Sequence, residues 1–438
     1  MSRPTSGRRR VLMDQAVRRR RHALFRLFLL AGIAMASWVT RTPAIRDRLE
    51  LSTAHMGLVL FGLSLGSMAG ISCSGRLVSR FGTRPVIVWG TWLLIAGLAT
   101  ICWGSGLASV PLVTAGLCAF GAGLGLGDVA VNVDGADVER IGGRTTLPAL
   151  HGCFSLGTVL GAGAGMAATA AGVPVHWHLA AIVLLSTGLL LHALRAIPEG
   201  TGRAVPEGPH GAGADRLRPA VWKDGRLLLI GAIVLAMALA EGSANDWLPL
   251  LMVDGHGMDA TAGSLVYAGF AAAMTLGRFA GAHFIDRFGR TAVVRASALS
   301  GAFGLLLVIV SDNAVLAGAA VLLWGLGASL GFPLALSAAG ESGPDSTARV
   351  SLVAVIGYVA FLVGPPGLGF LGGAFGLRPA MLVVLACVVC AVFLAPAVET
   401  ARTGAPALRH AAGADEQTPA DAPGPSRTAP GTDPPHIT

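Results

Sequence analysis

Charged side chains are scarce in this sequence. They make up 13% of the 438 residues, whereas 53% of the residues are hydrophobic and the mean hydropathy is +0.67. So little charge cannot cover the surface of an ordinary water-soluble domain. The short alternating segments of a membrane barrel are also missing, and backbone polar groups in lipid must be hydrogen-bonded internally. The composition therefore predicts an all-α polytopic membrane protein.

Several catalytic and nucleotide-binding motifs are absent as well. The sequence has no Walker loop, no dinucleotide-binding fingerprint and no serine, histidine and acid set. We therefore expect no ATP drive, no covalent chemistry and no cofactor, and the proton motive force is the predicted energy source. The six cysteines lie in apolar stretches and predict neither a disulfide nor a metal site. An enzyme using Asp128, Asp134 and His151 stays as a weaker alternative, and we predict that the chain is not an enzyme.

Long apolar stretches dominate what is present. A helix needs about 20 apolar residues to cross a hydrocarbon core about 30 Å thick. Twelve such stretches lie between Ala23 and Pro396, so twelve transmembrane helices are predicted. The predicted spans are 23–42, 54–75, 85–105, 107–133, 146–171, 177–196, 225–250, 262–285, 291–311, 313–339, 347–373 and 378–396.

The basic residues predict the orientation of these spans. Arg41, Arg46, Arg48 and Arg378 fall on one side of the twelve-span arrangement, and the other 28 of the 32 basic residues fall on the side of both termini. Because cytoplasmic loops carry the excess of Lys and Arg, both termini are predicted to be cytoplasmic in a multi-pass plasma (inner) membrane protein. The net charge of +8 then indicates contact with anionic lipids of the inner leaflet, and it does not indicate binding to nucleic acid.

Two segments without long apolar runs divide the chain. Residues 197–222 separate an N-terminal six-helix bundle, 23–196, from a C-terminal six-helix bundle, 223–396. Residues 1–22 form a basic cytoplasmic N-terminus. Residues 397–438 are too polar to offset the entropy of ordering, so they are predicted to be a disordered cytoplasmic tail.

The two halves share a pattern at a fixed offset. A shift of 207 positions places the Arg-Phe-Gly at 80–82 on the Arg-Phe-Gly at 287–289, and it also aligns Gly62 with Gly269. Two parallel six-helix repeats are typical of transporters, whose substrate site lies near mid-membrane between the repeats. Glycine ladders at 62, 66 and 70 and at 157, 161 and 165 predict close approach of helices from the two halves.

The repeated turn resembles the signature loop of the major facilitator superfamily (MFS). Ser79 departs from that signature, which usually has Asp there. The resemblance implies an MFS fold of two pseudo-symmetric bundles, alternating access and a cytoplasmic gate, with Asp286 and Arg287 holding the cytoplasmic side shut. The matching residues are Gly75, Leu77, Arg80, Gly82 and Arg84 in the first copy and Asp286, Arg287, Gly289 and Arg290 in the second.

A narrower resemblance is to the fucose-permease-like branch, in particular its rhizopine-permease-like group. It is carried by "ASWVTRTPAIRDRLELS" (36–52), "NVDGADVERIGGRTTLPALHGCFSLG" (132–157) and the Trp-Leu-Pro at 247–249. It implies symport of a small polar solute with protons, and sugar-like compounds are among the candidate solutes. The alternatives are a proton-driven exporter of a drug or metabolite and a non-transporting membrane receptor on the same fold. The predicted partners are the solute, protons and lipids, and the protein is predicted to be a monomer.

Polar residues inside the spans are the candidates for function, because burying them in lipid is costly. The proton-coupling candidates are Asp128, Glu241 and His151. The substrate-cavity candidates are Arg41, Trp38, Asn132, Asn245, Asp246 and Ser155. Arg41 is predicted to pair with Glu241 or Asp246, or to bind an anionic or hydroxylated substrate. Asp134 and Asp137 are predicted to lie at a solvated helix end opposite Arg140 and Arg144.

Overall fold

A computed structural model describes residues 6–143, 146–203 and 221–399. In this part of the chain twelve helices are long and apolar enough to cross a membrane, which confirms the predicted all-α architecture. The thirteen α-helices, of which only α2 is too short to span, are α1 Ser6–Val39, α2 Thr42–Arg48, α3 Thr53–Phe81, α4 Thr83–Gly106, α5 Val110–Gly142, α6 Leu147–Ala170, α7 Val175–Leu194, α8 Gly225–Leu250, α9 Ala260–Phe288, α10 Arg290–Val310, α11 Ala314–Glu341, α12 Ser346–Phe375 and α13 Leu377–Leu394.

Helix α1 begins well before the predicted span. It starts at Ser6, so the basic residues 8–10 and 18–21 all lie within this helix. Arg20 is buried and pairs with Asp134 and with Asp137, the latter at 2.8 Å. The predicted solvated end is therefore wrong for Asp134, which is fully buried on α5. Asp137 does pair with Arg140 at 2.6 Å, and Arg144 lies outside the described residues.

The repeated Arg-Phe-Gly turns have the same geometry in both halves. Gly82 joins α3 to α4 with a φ of 89°, and Gly289 joins α9 to α10 with a φ of 80°. Each glycine N–H closes the preceding helix on the carbonyl four residues back, Val78 at 2.7 Å and Ile285 at 2.8 Å. A side chain disfavours such positive φ values, so the repeat conserves glycine where the backbone requires it.

An ion pair ties the start of α8 to α12. The Asp224 carboxylate caps α8 by accepting the Leu227 N–H at 3.1 Å, and it also accepts a hydrogen bond from Arg349. Burial raises the pKa of Asp224, but these hydrogen bonds outweigh burial and hold the pKa below its usual range. Of the predicted linker, residues 197–203 and 221–222 are described, whereas residues 204–220 and the tail from 400 onward lie outside the described residues.

The two glycine ladders pack inside the first half. A Cβ on Gly66 or Gly70 would overlap the α5 backbone, and one on Gly157 would overlap the carbonyl of Leu29 on α1. The prediction that these ladders join the two halves is therefore wrong. Glycine does contact the other half at Gly57, whose added Cβ would lie 2.9 Å from the Cα of Gly369.

The halves meet along two seams, α3 against α12 and α6 against α9. We call the side where α1 ends and α3 begins the far end, and the side of the chain termini the near end. At the far end, Ser264 donates to the carbonyl of Thr40 at 3.0 Å, and Arg46 of α2 forms an ion pair with Asp254. The hydrogen bonds and ion pairs found between described residues of the two halves lie at the far end and at mid-depth. Closer to the near end, Asp128 of α5 and His151 of α6 are exposed, although each lies within electrostatic range of a residue of the second half. The described bundle is therefore closed at the far end and open toward the near end.

Candidate functional site

An ion pair lies at mid-depth where α6, α8 and α9 meet. The Arg278 guanidinium donates to the Glu241 carboxylate at 2.9 Å and to the Ser155 hydroxyl at 3.1 Å. Thr275 of α9 donates to the Ser155 carbonyl at 3.3 Å. The Glu241 and Arg278 side chains are 18% and 26% exposed. Two charges of the second half are thus held against a polar residue of the first half.

Sequence reasoning missed Arg278. We grouped it with the basic residues of the side that carries both termini, although it lies inside the predicted span 262–285. Counting basic residues by side does not record how deep each one lies. The available signal was a lone arginine in the apolar run "AAAMTLGRFAGA" (271–282), which by default marks a functional position in a membrane helix.

Arg41 does not take the predicted partner. It donates to the Thr169 hydroxyl at 2.6 Å and to the Val173 carbonyl, so it binds the end of α6 and the turn that follows. The predicted pairing with Glu241 or Asp246 is wrong because α1 ends at Val39 and α2 begins at Thr42 with Pro43 in its first turn, which turns Arg41 into the first half. Burial lowers the pKa of Arg41, and no carboxylate offsets that cost.

Further polar candidates on α8 lie one or two turns from the ion pair. Asn245, one turn after Glu241, accepts the Tyr267 hydroxyl at 3.0 Å. Asp246 and Trp38 are buried, at 7% and 1% exposure, and so do not line an open space in this conformation. The face of α8 toward α9 therefore carries an ionic group, Glu241, and an amide group, Asn245, one turn later.

A cavity of about 190 Å³ lies within the first half. Its lining is largely apolar, from α1, α3, α4, α5 and α6, and Asp128 is its charged residue. Asn132 donates to the Asp128 carboxylate at 3.3 Å, as their shared face predicts. Tyr358 of α12 lies within electrostatic range of Asp128, so the acid is close to the second half.

His151 lies one turn before Ser155 on α6. Its ring packs edge-on against Phe28 at 5.4 Å between centroids, and it is close enough to Arg278 for repulsion. The side chain is exposed. His151 is thus on the near-end side of the ion pair. Among the described residues, no group of three His, Cys, Asp or Glu is arranged to hold a metal ion.

Comparison with known protein families identifies the family of this chain. The model of the Major Facilitator Superfamily matches residues 2–139 and 148–351. The chain belongs to the major facilitator superfamily. An uncharacterized MFS-type transporter of Yersinia pestis is 33% identical over 367 residues, covering 82% of this chain and 92% of that protein. The membrane protein MosC of Rhizobium meliloti is 28% identical over 365 residues, covering 82% of this chain and 85% of that protein.

A solved structure supports the same fold. The fucose:proton symporter FucP of E. coli aligns with a TM-score of 0.59 at 18% identity, covering 87% of this chain and 98% of that one. At this identity the likeness shows the fold alone. The MFS membership predicted from the sequence is therefore confirmed, and the similarity to MosC agrees with the narrower resemblance.

The MFS signature residues lie at the near end. Arg84 pairs with Glu199, and Arg290 pairs with Glu341 at 2.7 Å. Asp286 is exposed, and no ion pair to it is found among the described residues. Since the near end is open, the predicted gate role of Asp286 and Arg287 is not engaged in this conformation. Of the other signature residues, Gly75 has open space beside it, Leu77 packs on the core, and Arg80 and Arg287 stack on the neighbouring Phe81 and Phe288 rings.

Proposed function

We propose that this MFS protein is a secondary active transporter that moves a small polar solute, with sugars as the leading candidates, together with protons by alternating access. The observation that carries this proposal is the Glu241–Arg278 ion pair, which contacts Ser155 of the other half at mid-depth. Charged groups inside a membrane bundle are expensive, and they mark solute or ion pathways. The open near end gives water access toward this level.

The proposed solute site lies between the two halves. Asp128 and Asn132 supply acceptors and donors from the first half, and Arg278 and Asn245 supply them from the second. A hydroxylated solute matches such a mixture, because hydroxyl groups both donate and accept. FucP, a fucose:proton symporter, supports this proposal by analogy. Asp128, Glu241 and His151 are the proposed proton-coupling groups at this site.

The proposed setting is the plasma membrane, with both termini in the cytoplasm. The excess of basic residues at the near end supports this orientation. The near-end opening then faces the cytoplasm. The protein is proposed to work as a monomer, with anionic inner-leaflet lipids around the basic residues at the start of α1.

Reconstituted vesicles test the proposed function. We expect one class among pentoses, hexoses, cyclitols and nucleosides to accumulate when an inward proton gradient is imposed, and to stop when the gradient is collapsed. A thermal-shift screen with the same compounds selects the probes. Loss of a preloaded drug against the gradient, with no solute uptake, would favour the exporter. Saturable binding without flux in either vesicle orientation would favour the receptor.

The far-end ion pair gives a separate prediction. Asp254→Asn should shift the bundle toward a far-end-open state, because Arg46 and Asp254 join the two halves only when that end is closed. An ion pair of this exposure contributes about 1 kcal/mol, which is about a fivefold change in the population ratio. Spin labels at Leu107 and Val315, which are exposed far-end residues of opposite halves, measure the distance between the two halves at that end.

The matched control for this prediction is Asp312→Asn. Asp312 pairs with Arg378 at 3.1 Å at the same end, but both residues belong to the second half. Removing that pair should leave the distance between labels unchanged. An equal shift in both variants would mean that the far-end pair has no role in holding the halves together.

A further inference from the structure

A buried arginine and a buried histidine lie near each other at the far end of the first half. Arg41, in the corner between α1 and α2, is 4% exposed, and His178, in the first turn of α7, is 7% exposed. The two side chains are within electrostatic range of each other. Arg41 donates to the Val173 carbonyl, so the largely exposed turn 171–174 between α6 and α7 lies beside this pair.

Several nitrogen atoms of this pair have no partner in the protein. The Arg41 Nε and both ring nitrogens of His178 are buried, and none of them has a hydrogen-bond partner among the described residues. The Arg41 guanidinium donates only to two uncharged oxygens, the Thr169 hydroxyl and the Val173 carbonyl, and no carboxylate of the described chain offsets its burial. Because a guanidinium stays protonated, the pair carries one formal positive charge without a counter-charge.

The second half shows how the same two residue types are compensated elsewhere in this protein. Arg378 of α13 lies within electrostatic range of His256, which follows the helical turn 251–255 after α8. There the Asp312 carboxylate accepts a hydrogen bond from Arg378 at 3.1 Å, and it is also within range of His256. A negative charge therefore accompanies the arginine and the histidine in the second half. No carboxylate among the described residues does so in the first half.

The start of α7 adds to the positive potential. This helix begins at Val175 after Pro174, and no side chain caps it. The N–H groups at the start of a helix carry a partial positive charge and favour an anion. Since His178 lies in that first turn, the guanidinium, the imidazole and the start of the helix all favour the same kind of ligand.

Charge and space restrict this ligand to a small monovalent anion. One negative charge balances the single guanidinium, whereas a divalent oxyanion would leave a second charge uncompensated in a buried place. Space is limited because α6 packs closely on the end of α1, where a Cβ on Gly165 would overlap the Thr40 side chain. A halide ion is compact, and it accepts N–H groups from any direction.

We propose that Arg41 and His178 bind a chloride ion or another halide at the far end of the first half. The Arg41 Nε–H and one ring N–H of His178 donate to the ion, which supplies the charge that Asp312 supplies in the second half. The ion enters from the far-end compartment beside the turn 171–174. This assigns Arg41 an inorganic ion in place of the solute, and it does not depend on the proposed transport.

The ion stabilises the corner through which the first half contacts the second. The carbonyl of Thr40, next to Arg41, accepts the Ser264 hydroxyl, and Arg46 of α2 pairs with Asp254. A halide neutralises the guanidinium that is buried in this corner and so removes a cost of folding it. We therefore expect chloride to stabilise the folded protein.

Thermal unfolding of the purified full chain in detergent tests the proposal. Sodium chloride is exchanged for sodium gluconate at constant ionic strength, because gluconate is also monovalent but too large for the packed site. A ligand that binds only the folded state raises the thermal midpoint as its concentration exceeds its dissociation constant. We expect chloride and bromide to raise the wild-type midpoint, and sulfate at the same ionic strength not to reproduce the increase.

Three variants make the test specific. Arg41→Met should lose the chloride-dependent shift. His178→Phe keeps the guanidinium but loses one donor, so the chloride concentration that gives half of the shift should rise about tenfold, as for the loss of one hydrogen bond to a charged group. Arg48→Met is the matched control and should keep the full shift, because Arg48 lies at the same end of the same half and donates to the Ser105 and Gly106 carbonyls but is exposed.

Bromide locates the ion directly. Anomalous diffraction from crystals of the wild type grown in bromide should give a peak between the Arg41 Nε and the His178 ring. This measurement needs no variant, so it decides the question even if Arg41→Met does not fold.

Equal wild-type midpoints in chloride and in gluconate would overturn this inference. A chloride shift that persists in Arg41→Met or disappears in Arg48→Met would also overturn it, as would bromide crystals that show no anomalous peak at Arg41 and His178. None of these measurements needs a transported solute. A failed uptake assay therefore leaves the halide site standing, and a missing chloride shift leaves the proposed function standing.

Discussion

Arg278→Met should lower the free energy of unfolding by on the order of 3 kcal/mol and abolish transport. The substitution leaves Glu241 without its cation inside the bundle, and breaking a largely buried ion pair from one side is costly because the remaining charge is uncompensated. It also removes the hydrogen bond to Ser155 that joins the halves. Denaturing-detergent titration of the purified protein measures the free energy, and vesicle uptake measures transport.

Two further variants make this prediction specific. Arg287→Met removes an arginine from the same helix, but Arg287 is exposed and stacks on Phe288, so only a small effect on the free energy of unfolding is expected. The double variant Arg278→Met, Glu241→Gln removes both charges, and it should recover most of the lost stability without recovering transport. If the two single effects simply add in the double variant, Arg278 and Glu241 do not act as a pair.

Gly157→Ala should have a comparably large effect on folding. An added Cβ there would overlap the carbonyl oxygen of Leu29 and come close to the Ile33 backbone. Both are main-chain atoms of α1, so the contact is relieved only by moving a whole helix. Overpacking in a close-packed interior typically costs about 1–3 kcal/mol, and we expect the upper part of that range. The yield of monodisperse protein and its thermal midpoint are the measurements.

Gly163→Ala is the matched control on the same helix. A Cβ at Gly163 meets no atom within 4 Å, so the change should be neutral or stabilise α6 by about 0.5–1 kcal/mol through helix propensity. The paired comparison separates close helix approach from a general intolerance of change in α6. Equal stability of the two variants would contradict the α1–α6 packing described here.

The sequence predicted the helices well because their signal is local. Apolar length and flanking charge define a span without knowledge of its neighbours, and the twelve predicted spans match twelve observed helices. The exception is α1, where the basic residues 18–21 indicated an aqueous segment. Arg20 is instead buried against Asp134. Because Asp134 lies 114 residues further along the chain, the local sequence does not show this pairing.

The candidate site was harder to predict, because which charges pair depends on packing. The i, i+4 relation of Asp128 with Asn132 was visible in sequence and is present. The partner of Glu241 was not visible, because the sequence alone does not show whether Arg41 or Arg278 lies next to it. The end of α1 at Val39, which excludes Arg41, is seen only in the structure. The glycine ladders likewise identified close packing but not which helix is the neighbour.

The backbone contacts of the first half have a practical consequence for measuring motion. Helices α1 and α6, and likewise α3 and α5, meet main chain to main chain, with no side chain between them to rearrange. Sliding at those interfaces is blocked, so α1 with α6, and α3 with α5, each form a rigid helix pair that serves as a reference frame. A fluorophore pair placed entirely within that frame should keep a constant separation throughout a transport cycle. Any change in distance from the frame to a second label is then displacement of the other bundle.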